Sequence, residues 1–292
     1  MRLPIQTEHY HKIFSFELFP PKTEKGFDNL KKTVQELQTL QPAFFSVTYG
    51  AGGSTQQRTF DTAEWLVGEH IITAPHLSCI GANRDEILEI IEHYKSHGIR
   101  RLVALRGDLP SGVGLRELGE LDHANQLVAL IREAFAKHFH IEVAAYPEFH
   151  PQASSPERDL TYFKTKVEVG ADSAITQYFY NVDAYFRFID DCQRLGIDIP
   201  IVPGIMPITN FTQLARFSDA CGTEIPRWLR KRLEGFGDDL ESIRSYGADT
   251  VTRLCERLLE GGAPGLHFYT MNQAKPSLDI WQSLALTSAH PQ

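Results

Sequence analysis

Glu17 lies in "FSFELFPPKT", residues 14–23, near the end of an apolar run that stops at two prolines. Phe14, Phe16 and Leu18 share one face of such a strand, and Ser15 and Glu17 share the other. A charge buried there is costly unless it is paired, hydrogen-bonded or neutralised. On an edge strand Glu17 would face water, or a backbone donor or Arg could hold it for structure. In an apolar mouth its pKa would rise, making it a general acid near neutral pH. Asp108, in "ALRGDLPSGVG" (104–114), opens a long Gly/Pro loop where a ligand would meet a strand end, or it caps its own turn. "AAYPEFHP" (144–151) puts Tyr146 and His150 beside another strand end, and "ITQYFYN" (175–181) sets the Gln177 amide among aromatics. Such groups could orient a flat heterocycle by stacking and hydrogen bonding, although buried aromatics commonly serve a core. Phe211, in "MPITNF", is either a helix-start staple or an exposed stacking ring.

Short apolar strands are expected near 13–18, 43–49, 73–78, 101–105, 141–146, 173–178, 200–205 and 265–269, alternating with amphipathic helices. In "NRDEILEIIEHYKSHG", Asn83 caps, Glu86 closes a capping box and Gly98 ends the helix. A second helix runs from Asp183 to Gly196, and 206–262 holds two or three more. This order predicts a (β/α)8 TIM barrel with extra helices in its C-terminal part, an open doubly wound sheet being the rival. The faces favour the barrel. Ser15 and Glu17, Ser46 and Thr48, and His76 and Ser78 form polar faces opposite Phe16, Val47 and Leu77. In a barrel, Glu17, Thr48, His76, Asp108, Tyr146 and Gln177 would converge on the mouth formed by the strand C-termini.

A net charge of −8 argues against a broad nucleic-acid or anionic-membrane surface. No apolar run could span a bilayer, and "MRLPIQTEHYHKIF" has no secretory h-region. Four scattered cysteines without a C-x-x-C pair suit a reduced, cytoplasmic protein. "HYH" (9–11) and "KHFH" (137–140) lack an accompanying ligand set, so no metal is expected. "GVGLRELG" (112–119) is not a dinucleotide fingerprint, and no Walker A sequence occurs. These features support a barrel enzyme for a small ligand without naming a reaction.

In order along nearly the whole chain, "FSFELFPPKT", "SVTYGAGGST", "APHLSC", "VALRGDLP", "AAYPEFHP", "AITQYFYN", "PGIMPITNF" and "LHFYTMN" resemble the methylenetetrahydrofolate reductase family. The resemblance implies a barrel that binds FAD tightly but non-covalently without a Rossmann fold. It implies ping-pong hydride transfer from NAD(P)H, NADH in the bacterial type, to 5,10-methylenetetrahydrofolate. The product, 5-methyltetrahydrofolate, supplies the methyl group for methionine synthesis. Glu17 matches the family's general acid at folate N10, and Asp108 the carboxylate near pterin and flavin. Gln177 matches a substrate-binding amide and Phe211 the ring that stacks on folate or nicotinamide. The flavin shell would comprise Thr48, Tyr49, His76, Arg106, Gly107, Asp108, Tyr146, His150, Asp159 and Lys166. Two departures stand out: Gln273, at a folate-tail position, and Thr165 occupy places where some members carry Arg. The resemblance further implies one catalytic barrel over 1–292 without a C-terminal regulatory domain, and a homo-oligomer. A methyl- or aldol-transferring barrel without flavin and a noncatalytic binding protein are the competing functions.

Overall fold

The computed structural model describes residues 12–49, 53–107 and 120–286. Nine parallel strands form one sheet in the order β7-β6-β5-β4-β3-β2-β1-β9-β8. They are β1 (Ile13–Leu18), β2 (Phe44–Val47), β3 (Thr73–Ser78), β4 (Arg101–Leu105), β5 (His140–Ala145), β6 (Ser173–Thr176), β7 (Ile201–Val202), β8 (Gly204–Ile205) and β9 (Gly265–Tyr269). The run expected as one strand over 200–205 is split at Pro203. Its first half pairs with β6 and its second with β9, so one segment joins both ends of the sheet and closes the ring. The ring is therefore an eight-segment (β/α)8 barrel, and the open-sheet alternative falls away. Close approach is needed at this seam. A Cβ on Gly204 would lie 2.2 Å from the Thr176 carbonyl oxygen.

Strand alternation separates two apolar layers. Phe16 and Leu18 point outward with Phe45, Val47, Leu77 and Phe268 onto the helices. Phe44, Ala74, Val103 and Ile175 plug the lumen separately. Beside this plug Glu142 is fully buried, yet its carboxylate accepts from Arg101, from Ser173 Oγ at 2.5 Å and lies 3.4 Å from His140 Nε2. Burial pushes its pKa up, but these donors outweigh burial and hold it below the usual carboxylate range.

The helices named below are α2 (Gly53–Gly68), α3 (Arg84–Ser96), α5 (Pro156–Glu168), α6 (Val182–Arg194), α7 (Phe211–Cys221), α8 (Arg227–Gly235), α9 (Leu240–Glu260) and α10 (Ala274–Ser283). The remaining two are α1 (Glu24–Gln38) and α4 (Ala124–Phe135). Asn83 and Glu86 make the expected reciprocal capping box on α3. The second helix starts earlier than expected because Asn181, not Asp183, accepts the cap hydrogen bond. Three helices, α7 to α9, occupy the long stretch before β9. None of the helices among the described residues is long and apolar enough to cross a membrane.

Candidate active site at the barrel mouth

A cleft of about 420 Å3 opens at the C-terminal ends of the strands. Val103, Leu105, Val143 and Ile175 form its apolar floor, and Glu17, Thr48, His76, Tyr146 and Gln177 bring polar groups to it. Five of the residues expected from sequence thus meet in one place.

Glu17 enters from β1 with its side chain about one-tenth exposed. Its Oε2 lies 3.5 Å from His76 Nε2 and 3.8 Å from His267 Nε2. Burial pushes the His76 imidazole down to about 4, opposed by the Glu17 charge and reinforced by His267, so the ring is neutral at pH 7. Its Nε2 is buried without a hydrogen-bond partner among the described residues. His267 is fully buried below, its Nδ1 2.7 Å from Ser15 Oγ.

The end of β1 is clamped by the residues after β9. Thr270 Oγ donates to the Glu17 carbonyl at 2.6 Å. Phe19 N–H donates to Asn272 Oδ1, and Asn272 Nδ2 donates to Phe19 C=O, both at 2.8 Å. Met271 and Asn272 hold this turn at φ values of 51° and 54°, a left-handed pair unusual for residues other than glycine. The clamp continues the β1–β9 ladder past Tyr269 and fixes the backbone that carries Glu17.

Gln177 accepts from the Tyr178 N–H through Oε1 at 3.0 Å, which orients the amide so that its NH2 end donates. Tyr269 lines the cleft and donates its hydroxyl to Thr176 C=O at 2.7 Å. Burial pushes this phenol well above its ordinary value. Tyr146 meets His150 edge-on at 4.6 Å.

The other expected cofactor residues that the structure describes, Tyr49, Arg106, Gly107, His150, Asp159 and Lys166, are not among those lining the cleft. Arg106 Nε donates to Asp122 C=O at 3.1 Å and its guanidinium to Gln152 Oε1 at 2.5 Å, tying two loops together. Gly107 has φ +88°, and a Cβ there would lie 1.8 Å from Ser78 Oγ, so backbone alone fits. Asp159 accepts from the His150 N–H at 2.9 Å. Lys166, half-buried on α5, donates to the Ala144 carbonyl at 2.5 Å, and burial brings its ammonium down to about 8. Tyr49 is half-buried next to Thr48, its phenol pushed up by burial. Asp108 lies outside the described residues.

Two of the expected substrate contacts are not among the residues that line the cleft. Phe211 is the first residue of α7, after the Asn210 cap, and does not line the cleft; Phe217, on the same helix, does. Six residues turn an α-helix by roughly 240°, so the two rings face different ways. Gln273 is exposed at the start of α10, whereas Met271 lines the cleft. Thr165 bonds back to Thr161 C=O at 3.0 Å within its helix. Sequence reasoning missed Phe19, Met206, Phe217, Tyr269 and Met271 as cleft residues. Of these, Tyr269 was findable, because period-two alternation from His267 puts it on the lumen face opposite Glu17.

The sequence profile of methylenetetrahydrofolate reductase matches residues 3–285. The 5,10-methylenetetrahydrofolate reductase of Escherichia coli K12 is 41% identical over 273 residues, covering 93% of this chain and 90% of that protein. Methylenetetrahydrofolate reductase (NADH) 1 of Arabidopsis thaliana is 39% identical, covering 96% of this chain and 49% of that protein. Among solved structures, a Clostridium thermocellum protein that binds two copies of 5-methyl-5,6,7,8-tetrahydrofolic acid shares the fold. Its TM-score is 0.66 at 20% identity, with 96% of this chain and 94% of that one covered. A barrel mouth holding a carboxylate beside a neutral imidazole thus coincides with a sequence match over nearly the whole chain, and the chain belongs to the methylenetetrahydrofolate reductase family, oxidoreductases that reduce methylenetetrahydrofolate.

Proposed function

We propose that the mouth is a single site that binds FAD non-covalently and admits NADH and 5,10-methylenetetrahydrofolate in turn. FAD would carry hydride from the reduced nicotinamide to the folate. The residues present suit such a group. The cleft has an apolar floor, a buried His76 Nε2 with no partner among the described residues, and a Gln177 amide whose oxygen is engaged by the Tyr178 N–H so that its NH2 end is the donor. Thr48, Tyr49, His76, Gly107, Tyr146, His150 and Asp159 would hold it, with Arg106 and Lys166 as the nearby cations for its phosphates. Asp108 would set a negative charge near the ring.

The observation that carries this reading is Glu17, a nearly buried carboxylate facing the cleft beside an imidazole that burial keeps neutral. Glu17 has no cation at His76 to lock it as an ion pair. In this reading Glu17 would deliver a proton to folate N10, which opens the five-membered ring of the substrate. Gln177 would bind the pterin or the nicotinamide carboxamide. Phe217, which lines the cleft, would cover whichever partner is bound, and one shared wall would make the two partners exclusive, hence ping-pong turnover. The NADH in the name of the Arabidopsis relative supports NADH as donor. We place the product in methionine synthesis, the protein in the cytoplasm and the activity in the barrel, assembled as a homo-oligomer.

The test is anaerobic. Protein purified gently or reconstituted with FAD should show a flavin spectrum, bleach with NADH and recover with methylenetetrahydrofolate. No FAD uptake, or bleaching that the folate does not reverse, overturns the reading.

A further inference from the structure

A second cluster of chemically capable side chains sits on the outer helices, outside the cleft lining. Glu64 projects from α2, His93 from the last turn of α3, and His97 is that helix's C-cap. His93 Nε2 lies 2.7 Å and His97 Nε2 3.6 Å from the same oxygen, Glu64 Oε1. All three donor atoms lie within 4.8 Å of one another. The side chains are about two-fifths exposed, so an ion and its water can reach them. Packing still holds the rings, with Phe60 4.9 Å from the His93 ring and His97 4.3 Å from it.

The hydrogen bonding of His97 says more. Its Nδ1 is 2.8 Å from the His93 carbonyl oxygen. A carbonyl only accepts, so Nδ1 carries the proton, and in the neutral ring Nε2 is a bare lone pair. That lone pair faces a carboxylate oxygen, another acceptor. Two acceptors so arranged call for a positive centre between them, either a proton on the ring or a metal ion. An Nδ1–H donated to a backbone carbonyl is also the support that metal-bound imidazoles use to fix their tautomer. Tetrahedral zinc with bonds of about 2.0–2.1 Å sets its ligand atoms about 3.3 Å apart. The 3.6 Å between His97 and Glu64 is close to that distance, whereas the 2.7 Å between His93 and Glu64 is a hydrogen bond that has to open to admit the ion. Two imidazoles and one carboxylate suit a borderline cation, not the all-oxygen shells of magnesium or calcium.

We propose that Glu64, His93 and His97 bind a zinc-type divalent cation, with water completing the tetrahedron, and so pin α2 to α3. "KHFH" does not contribute, and "HYH" lies outside the described residues. The sequence pair is instead "HYKSH", and its third ligand comes from another helix.

The probe is zinc itself, titrated into the untagged full chain by calorimetry, with cobalt as a spectroscopic substitute. One equivalent should bind, raise the melting temperature and give cobalt the visible absorption of a tetrahedral site. Glu64→Gln, His93→Gln and His97→Gln should each weaken binding roughly tenfold or more and abolish the thermal shift, while folate reduction stays intact as proof of folding. Absence of saturable binding, or unchanged binding in the His93→Gln/His97→Gln double variant, overturns the proposal and leaves the cluster as a surface ion-pair network.

Discussion

Glu17→Gln keeps the shape of the side chain and removes its ability to give up a proton. Among the described residues, the nearest basic nitrogens to Oε2 stand at 3.5 and 3.8 Å, both beyond a good hydrogen bond. The amide therefore gives up no strong contact, and the stability change should stay within about 1 kcal/mol, a melting shift of a few degrees at most. Catalysis should respond very differently. Losing a general acid costs ~10²–10⁴ in rate, a barrier increase of ~2.7–5.5 kcal/mol. On the proposed scheme that loss falls only on folate reduction, because hydride leaves NADH without protonation. Stopped-flow absorbance at the flavin band, with NADH alone and then with methylenetetrahydrofolate alone, separates the two halves. Glu17→Asp draws the carboxyl back by about 1.5 Å and should lie between the two, since a misplacement of about 1 Å can cost ~10²-fold. Equal loss in both halves, or near-normal folate reduction in Glu17→Gln, would refute the assignment. A large fall in melting temperature without a kinetic change would make Glu17 a structural carboxylate.

Phe217→Ala should weaken use of folate and NADH together by roughly tenfold, the loss of about 1 kcal/mol of stacking, while Phe211→Ala leaves both KM values alone; the reverse pattern would restore the ring assignment made from sequence. His76 binds its proton near pH 6.5 when unfolded but only near about 4 when folded. Its contribution to stability is therefore complete above pH 6.5 and is lost, by about 3 kcal/mol, as pH falls to 4; denaturant titrations of His76→Gln should show a flatter slope across that window, and an identical slope would refute it. Asn272→Ala removes two hydrogen bonds and leaves Ala in the left-handed region, so stability should drop by about 1–3 kcal/mol with slower folate turnover; unchanged urea unfolding would dismiss the clamp. Glu142→Gln leaves Arg101 facing a neutral amide and should destabilise by about 3–5 kcal/mol, with activity per folded molecule retained; an unaffected denaturation midpoint would count against the ion cluster.

The barrel was legible because its strands alternate with period two between an apolar outer face and a small or polar inner one. Ser15 and Glu17 against Phe16 and Leu18 is the pattern in miniature, and the same register brings Tyr269 opposite Glu17. The capping box at Asn83 and Glu86 was legible because both partners are local. What could not be read was long-range. Splitting one strand at Pro203 requires knowing that both sheet edges come to it. Phe211 and Phe217 differ only in helical phase, which the sequence leaves open until the axis of α7 is placed. The Asn272 clamp joins residues more than 250 apart in sequence.

Among the described residues two buried carboxylates, Glu17 and Glu142, lie in the lumen, on strands that look alike, "IFSFEL" and "HIEVAA". Both side chains are nearly or wholly withdrawn from water. Glu142 is surrounded by donors: Arg101, Ser173 and His140 satisfy its oxygens and hold its pKa down. A carboxylate so satisfied has little to offer a substrate, and its position beside the apolar plug makes it part of the barrel's framework. Glu17 sits on the cleft side, with the neutral His76 imidazole at 3.5 Å and no nearer donor among the described residues. Its polar capacity is unspent within the described residues. Burial alone therefore does not mark a reactive acid. The difference lies in which neighbours the fold supplies, and among the described residues the barrel supplies them at one carboxylate and withholds them at the one that faces the cleft.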